Sequence, residues 1–462
     1  MTLSACVAGP PPVIETPQPT LPTEFASKPD TDTIDTLSAL LPHKDASFVG
    51  LAELALESAP TFQEAIARIE QARAQSNRSR SNSFPELSVD ASGTASQTSP
   101  EQFGAAITGG IGIDTERASY GANLRASWEL DLFGRLRAQE RAAKARLDAA
   151  TAEANAVRNS LIAEIAGAVI DWRTISERET SLQLDLMAAQ NLATLAASRE
   201  KAGLTPGFDR VRAEAAAQAS TSRIAALGNE KARILGRLVT LTGQNGQMVL
   251  GLLQKPSTLS EPTTVPASLP SALLINRPDV RAAAANLAAA DEELSATAAR
   301  RFPQLNLTAS LGLLGFNLDR LFQSNAVVAS AGSSLLAPLL DFGRIEAEID
   351  ASAAAKRIAF ARYRDSVFSA LGEAEASYGL VSAMDLQLEA ARQEYASATR
   401  AANIAEARYR AGLSDFLTVL EARRAADASG ERVAIASGQS RRSRILLWQA
   451  LGGHQYIPHA SN

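Results

Sequence analysis

Hydrophobic and polar residues alternate in four separate stretches of the chain. In 86–95, Leu87, Val89, Ala91 and Ala95 face one way, and Glu86, Ser88, Asp90, Ser92 and Thr94 the other. In 117–131, Ala118, Tyr120, Ala122, Leu124, Ala126, Trp128 and Leu130 alternate with Arg117, Ser119, Asn123, Arg125, Ser127, Glu129 and Asp131. In 304–313, Leu305, Leu307, Ala309, Leu311 and Leu313 alternate with Gln304, Asn306, Thr308, Ser310 and Gly312. A fourth, weaker stretch covers 327–340. A period of two is that of a strand with two different faces. Strands of about ten residues, apolar on one face and polar on the other, fit a barrel with lipid outside and water inside. A half-buried sheet in a soluble sandwich has the same period and is the alternative. Four strands cannot close a spanning barrel, whereas three chains supply about twelve, which can close around a wide lumen.

Between these stretches the period becomes helical. Helices are predicted over about 60–83 and 277–301, ended by Pro85 and Pro303, because the residue before proline is pushed out of the α region. No proline occurs from Gly134 to Gly203 or from Gly343 to Gly412. Apolar or small residues at Ala143, Leu147, Ala150, Ala154, Val157 and Leu161 recur in steps of three and four, the helical spacing. Ile224, Leu227, Ile234, Leu238 and Leu241 continue that spacing, with Lys231 interrupting it. A helix of ~65 residues is ~100 Å long at ~1.5 Å per residue. Gly203 and Gly412 break the long helices, and returning helices are predicted over about 208–242 and 413–452.

The chain is doubled. Phe84-Pro85-Glu86-Leu87 returns as Phe302-Pro303-Gln304-Leu305, and Ala202-Gly203-Leu204-Thr205 as Ala411-Gly412-Leu413-Ser414. Asp131-Leu132-Phe133-Gly134-Arg135 returns one residue shorter as Asp341-Phe342-Gly343-Arg344. The offsets 343 − 134 and 412 − 203 are both 209. One large unit has been copied, a period far longer than that of solenoids. Asp131 and Asp341 are placed to cap the helix that follows, and Gly134 and Gly343 relieve the backbone at the turn. Trp128, Phe133 and Phe342 suit a membrane–water boundary.

Composition narrows the chemistry. A net charge of −5 and pI of about 5.5 give no nucleic-acid footprint. Arg441, Arg442 and Arg444 form a local cluster, read as a solvated helix face. The three histidines, His43, His454 and His459, lie in no patterned segment, and one cysteine, Cys6, allows neither an intrachain disulfide nor a cysteine metal cluster. No Gly-x-Ser-x-Gly stands at a strand–helix turn, so a hydrolase has no nucleophile site. No enzyme, cofactor or metal is expected. No apolar run reaches about 20 residues, which excludes a membrane helix but not a barrel. Leu3-Ser4-Ala5-Cys6 reads as a bacterial lipobox, with Cys6 as the acylated residue; the alternative is a lone thiol in a tail. Pro10, Pro11, Pro12, Pro17, Pro19 and Pro22 follow and suit an extended tether.

These features resemble the TolC-like outer-membrane factors of tripartite efflux systems, on the lipoprotein branch typified by OprM and NodT. The residues carrying the resemblance are Trp128-Glu129-Leu130-Asp131-Leu132-Phe133-Gly134-Arg135, Arg277-Pro278-Asp279-Val280-Arg281-Ala282-Ala283, Arg301-Phe302-Pro303, Tyr409-Arg410-Ala411-Gly412-Leu413 and Ala450-Leu451-Gly452-Gly453. The resemblance implies a homotrimer in the cell outer membrane, lipid-anchored, with a large periplasmic extension. It implies a periplasmic adaptor and an inner-membrane pump of the resistance-nodulation-division type as partners, besides outer-membrane lipid. The tip would close the duct, with Asp209 at a gate position and Glu421 at an acidic ring position. The second ring position holds Thr418, a departure, and Asp415 in the tip loop is placed to compensate. Gly203, Leu204, Gly412 and Leu413 would form the tip turns.

The expected fold is mainly α with a small β part: a long α-helical barrel plus a trimeric transmembrane β-barrel with four strands per chain. Residues 1–59 would be tether and equatorial segment, 60–250 the first repeat, 251–276 a linker, 277–453 the second repeat and 454–462 a tail. The expected function is an outer-membrane exit channel. The alternative is a coiled-coil periplasmic adaptor or structural protein without a barrel.

Overall fold

The computed structural model describes residues 13–27, 37–97, 99, 116–255, 265, 270–272 and 276–453. Cys6, His454 and His459 lie outside them. Helices α1 (Ala46–Ser58) and α2 (Pro60–Ser81) lead into strands β1 (Glu86–Gln97) and β2 (Glu116–Leu130). Then come α3 (Arg135–Lys201), α4 (Phe208–Thr242) and the short α5 (Gly246–Leu253). The pattern returns as α6 (Pro278–Ala298), β3 (Gln304–Gly315), β4 (Val327–Leu336), α7 (Arg344–Arg410) and α8 (Phe416–Ala450). The long helices α3 and α7 have 67 residues each, and α4 and α8 have 35 each. Among the described residues no helix is long and apolar enough to cross a membrane.

Two compact units emerge. Of the described residues, the first comprises those within 13–17, 70–149 and 284–362, the second those within 18–69, 150–283 and 363–453. The first holds one antiparallel sheet in the order β1-β2-β3-β4. Its register gathers apolar side chains on one face, where Val89 stands opposite Leu124, Leu124 opposite Leu311 and Leu311 opposite Ala329. The other face carries a polar ladder. Arg125 pairs with Asp90 at 2.9 Å, Thr94 bonds Ser119 at 2.6 Å and Ser310 bonds Ser330 at 2.8 Å. Such opposed pairs are the unit of sheet stability. β4 stops at Leu336, four residues short of the expected 340. Pro338 lacks the N–H a ladder needs, so the pairing ends there. Beneath the sheet, Leu294 and Ala298 of α6 pack on Ile345, Ile349 and Ala353 of α7.

The second unit holds the larger core. Phe48 and Leu51 of α1, Ile162 and Ile165 of α3, Leu238 of α4, and Leu447 and Trp448 of α8 are fully buried in it. The buried side of α8 consists largely of small residues, among them Ser429, Gly430, Ala434, Ala436, Ser437, Gly438 and Ser440. A Cβ at Gly438 would stand 2.3 Å from Thr174 Oγ1 of α3. The α8 backbone therefore lies directly against the Thr174 side chain, where no larger residue fits.

Lys231 breaks the apolar spacing of α4 for a reason. It forms an ion pair with Glu179 and lies 5.5 Å over the Trp172 ring. The Arg441–Arg444 cluster is not the solvated face expected from its charge. Arg444 is buried and pairs with Asp385 at 2.8 Å, Arg442 pairs with Asp171, and Arg441 with Glu177 at 3.3 Å. Each arginine meets an acid from another helix, and linear spacing along α8 cannot reveal that.

Arg173 is the polar hub of this core. Its guanidinium donates to both carboxylate oxygens of Asp45, at 3.0 and 3.2 Å, to Ser47 Oγ at 2.6 Å, and to the carbonyls of Leu253 and Lys255. Asp45 also accepts from the Ser47 N–H and so caps α1. Replacing Arg173 with alanine removes the cation from a carboxylate whose side chain is 1% exposed. The cost expected for breaking a buried pair is about 3–5 kcal/mol. Arg173→Ala should lower the thermal midpoint and raise hydrogen exchange in α1 and α5 first, which exchange mass spectrometry reads directly.

Candidate functional site

Two kinds of position recur in both repeats: the strand–helix junction and the hairpin tip. At the first junction Asp131 accepts from the N–H groups of Leu136 and Arg137 at 3.1 and 2.9 Å. At the second, Asp341 accepts from Gly343 and Ile345 at 3.2 and 2.9 Å. Each carboxylate satisfies first-turn donors that the helix itself cannot. Gly134 and Gly343 both have positive φ, 79° and 84°. In the second junction the Asp-to-Gly spacing is one residue shorter, and Phe342 there adopts φ 54°. A bulky residue in that region costs about 1–3 kcal/mol. Phe133 stacks on Phe302 with centroids 4.8 Å apart, and Trp128 Nε1 donates to the Ser83 carbonyl at 3.0 Å. Phe342 has no such cover and is 92% exposed.

The tips end α3 and α7 in the same way. The N–H of Gly203 donates to the Glu200 carbonyl and that of Leu204 to the Arg199 carbonyl, both at 2.9 Å. Gly412 and Leu413 do the same with Tyr409 and Arg408. This is a Schellman turn, which requires a left-handed residue. Gly203 and Gly412 supply it at φ 66° and 73°. No neighbouring atom would obstruct a Cβ at either position, so φ rather than space demands glycine. Leu204 and Leu413 project into solvent, 68% and 69% exposed.

The acids of the two tips sit differently. Asp415 is the N-cap of α8 and accepts from the Thr418 N–H at 2.8 Å. Hydrogen bonds from Thr418 hold its carboxyl below the ordinary aspartate range. The equivalent end of α4 begins at Gly207 without a side-chain cap, and Asp209 lies in the first turn, half-buried. The charge of Asp209 bears on Tyr409: burial, opposed by Arg199 and reinforced by Asp209, raises the phenol above its ordinary range. Glu421 stands exposed on α8. Asp209, Asp415 and Glu421 are not drawn into one cluster within the chain.

Other tip residues carry no periodic signal. Arg199 of α3 donates to the Tyr409 carbonyl at 3.0 Å and lies 4.7 Å over the Tyr409 ring, tying one hairpin to the other. Arg210 bridges Glu200 and Glu214 at 2.8 Å each. Glu406 pairs with Arg410 and with Arg423 of α8. Despite burial, those two arginines hold its carboxyl below the ordinary range. Only the Arg210–Glu214 and Glu406–Arg410 pairs show in the sequence, as neighbours one helical turn apart. Among the described residues no group of three His, Cys, Asp or Glu side chains is arranged to hold a metal ion.

Comparison with known proteins places this architecture. The family model for outer membrane efflux proteins matches residues 51–244 and 269–453. The pyoverdine export outer membrane protein OpmQ of Pseudomonas aeruginosa is 29% identical over 404 residues, 87% of this chain and 84% of that protein. Nodulation protein T of Rhizobium leguminosarum bv. trifolii is 25% identical over 460 residues, 98% of this chain and 95% of that protein. Among solved structures, the outer-membrane channel OprN matches with a TM-score of 0.86 at 27% identity, covering 96% of this chain and 98% of that one. The open state of the Neisseria gonorrhoeae channel MtrE matches at 0.82 and 26%, again over 96% of this chain and 98% of the other. The coiled-coil adaptor alternative has no place for the paired strands, and the matched family consists of channels rather than enzymes. The chain belongs to the outer membrane efflux protein family, the outer-membrane channels through which efflux pumps discharge.

Proposed function

We propose that three copies of this chain form one duct, each supplying four of twelve barrel strands, and that the hairpin tips are its gate. The single observation that carries this reading is the pair of open edges on the sheet. β1 and β4 have one neighbour each, and hydrocarbon leaves no unpaired edge. The duplication supports a particular register. The first strand of each pair shifts by 302 − 84 = 218, and the observed pairs Leu87–Ala126 and Leu305–Leu335 give 335 − 126 = 209 for the second. Applied to the Ala126–Ala309 and Ala122–Leu313 pairs, these shifts set Leu335 against Ala91 of the partner subunit and Ala331 against Ala95 of the partner subunit. Apolar then meets apolar, and Ser334 falls opposite Ser92 of the partner subunit. The same shifts carry the Phe133–Phe302 stack onto Phe342 and Phe84 of the partner subunit. That gives exposed Phe342 a partner and a return for its strained backbone.

The repeats run over 60–250 and 277–453 in this reading, and the two matched segments of the family model support that division. Cys6 is the lipid anchor, followed by the proline-rich tether. A periplasmic adaptor and an inner-membrane pump of the resistance-nodulation-division type deliver the cargo. Asp209 serves at the gate with Asp415 and Glu421, the exposed Leu204 and Leu413 offer apolar contacts at the tips, and Asp131 with Asp341 fixes the strand–helix turns.

Three outcomes test this reading. The double variant Ala95→Cys/Ala331→Cys should cross-link into trimers on oxidation, while Ser96→Cys/Ala331→Cys, slipped by one residue, should not; gels showing only monomer for the first would remove the register. The pair Asp209→Asn/Asp415→Asn keeps an Asn cap on α8 while removing both charges. It should make the closed channel leakier in planar-bilayer recordings, and an unaltered conductance would count against the gate. Intact-mass spectrometry of the protein extracted from Gram-negative outer membranes should find acyl chains on Cys6.

A further inference from the structure

Between α3, α4 and α8 of the second unit lies a cavity of about 70 Å³. Asp185 of α3 and Asp427 of α8 face each other across it, with Leu192, Ser220, Phe416 and Leu420 in its walls. The Asp185 Oδ2 atom is buried and receives no donor from any basic or amide group. The Asp427 carboxyl lines the same cavity and is the acidic group that bears on it. Two carboxylates side by side repel and cannot both ionise cheaply in a site of low dielectric. A single proton held between them turns that repulsion into a hydrogen bond.

The surrounding charges relieve the pair only in part. From α4, Arg223 faces it but also donates to Ser220 of its own helix at 3.1 Å. From α8, Arg423 is engaged by Glu406 of α7, and Arg424 lies in the cavity wall, exposed. Glu431 adds negative charge, although Arg178 of α3 binds it at 2.7 Å. Burial first, and the Asp427 charge second, push Asp185 up to about 7. Burial also raises Asp427, against the hydrogen bond from Asp185 and the fields of Arg223 and Arg423.

We propose that Asp185 and Asp427 share one proton across the seam between the two helical hairpins, and that losing it to solvent water loosens that seam. The pair is separate from the tip. Asp185 lies 18 residues before Gly203 and Asp427 lies 15 after Gly412, or roughly 20–27 Å along their helices. When the proton leaves, two like charges remain in a cavity with room for little more than a couple of water molecules. α3 belongs to the first hairpin and α8 to the second, so the repulsion acts between the parts that must separate when a tip opens. That link to opening rests on the duct reading; the shared proton does not.

The sign follows from proton binding. Both groups are raised, so the folded chain holds more protons than the unfolded chain between the ordinary aspartate range and about 7. The stabilisation is fully present at acid pH and is lost as pH rises through about 7.

Two measurements on the purified full-length protein in detergent decide it. Infrared difference spectra between pH 6 and pH 8 should show a protonated-carboxyl band in the wild type that disappears in Asp185→Asn and in Asp427→Asn. The thermal midpoint should fall from pH 6 to pH 8 in the wild type and fall less in Asp185→Asn, whose amide mimics the protonated partner. A missing band in the wild type, or equal pH slopes in wild type and variant, overturns the proposal. Neither measurement depends on conduction. A failed gate at Asp209 would leave both outcomes standing, and a failed pair would leave the duct.

Discussion

The constraint on which the rest depends is the open edge. In water an unpaired strand edge hydrogen-bonds to solvent, but in hydrocarbon each unsatisfied N–H or C=O costs several kcal/mol. The four-stranded sheet leaves two edges unmet. Its opposite faces, one of aliphatic rows and one of Ser, Thr, Asn, Asp and Arg, suit lipid on one side and water on the other. In the duct proposed above, a chain that is both duplicated and unfinished would solve this by letting its second half meet the first half of a copy as its own halves meet each other, so that the contact inside the chain would be the template for the contact between chains.

The same constraint explains the care taken at the junctions. A barrel strand must become a helix within a few residues, and the freed backbone donators need partners at once. Asp131 and Asp341 supply them, each reaching donors in the first turn. The second junction makes the same cap with Phe342 held in the left-handed region beside Gly343. In the proposed duct, backbone strain here would be coupled to assembly, because the ring that bears it is left in the open by a single chain.

Much of this was legible in the residue pattern. The alternation at 304–313, the repeated Phe-Pro and Ala-Gly-Leu landmarks and the proline-free stretches mark the strands, the doubling and the long helices, because each depends on local geometry. The end of β4 was misread, since alternation continues past Leu336 while Pro338 ends the ladder. Arg441, Arg442 and Arg444 were misread as a solvated face because their partners Glu177, Asp171 and Asp385 lie on other helices. The Asp185–Asp427 pair and the Arg199–Tyr409 link escaped notice for the same reason. Helical period reports which side a residue takes, not which residue of a distant helix it meets. Asp415 is expected to act through its charge at the tip, and its hydrogen bond from the Thr418 N–H gives it in addition a capping role that charge alone does not suggest.

The small-residue seam of α8 has a mechanical consequence. Ala, Gly and Ser have few or no rotamers to lose on burial, unlike the leucines of an ordinary helical core. Where Gly438 lies against Thr174, the backbone of one helix meets the short side chain of the other. Such a wall has little side-chain disorder to recruit and little compliance with which to absorb a push. Its helices would slide or tilt as rods, transmitting displacement along their length instead of dissipating it in repacking.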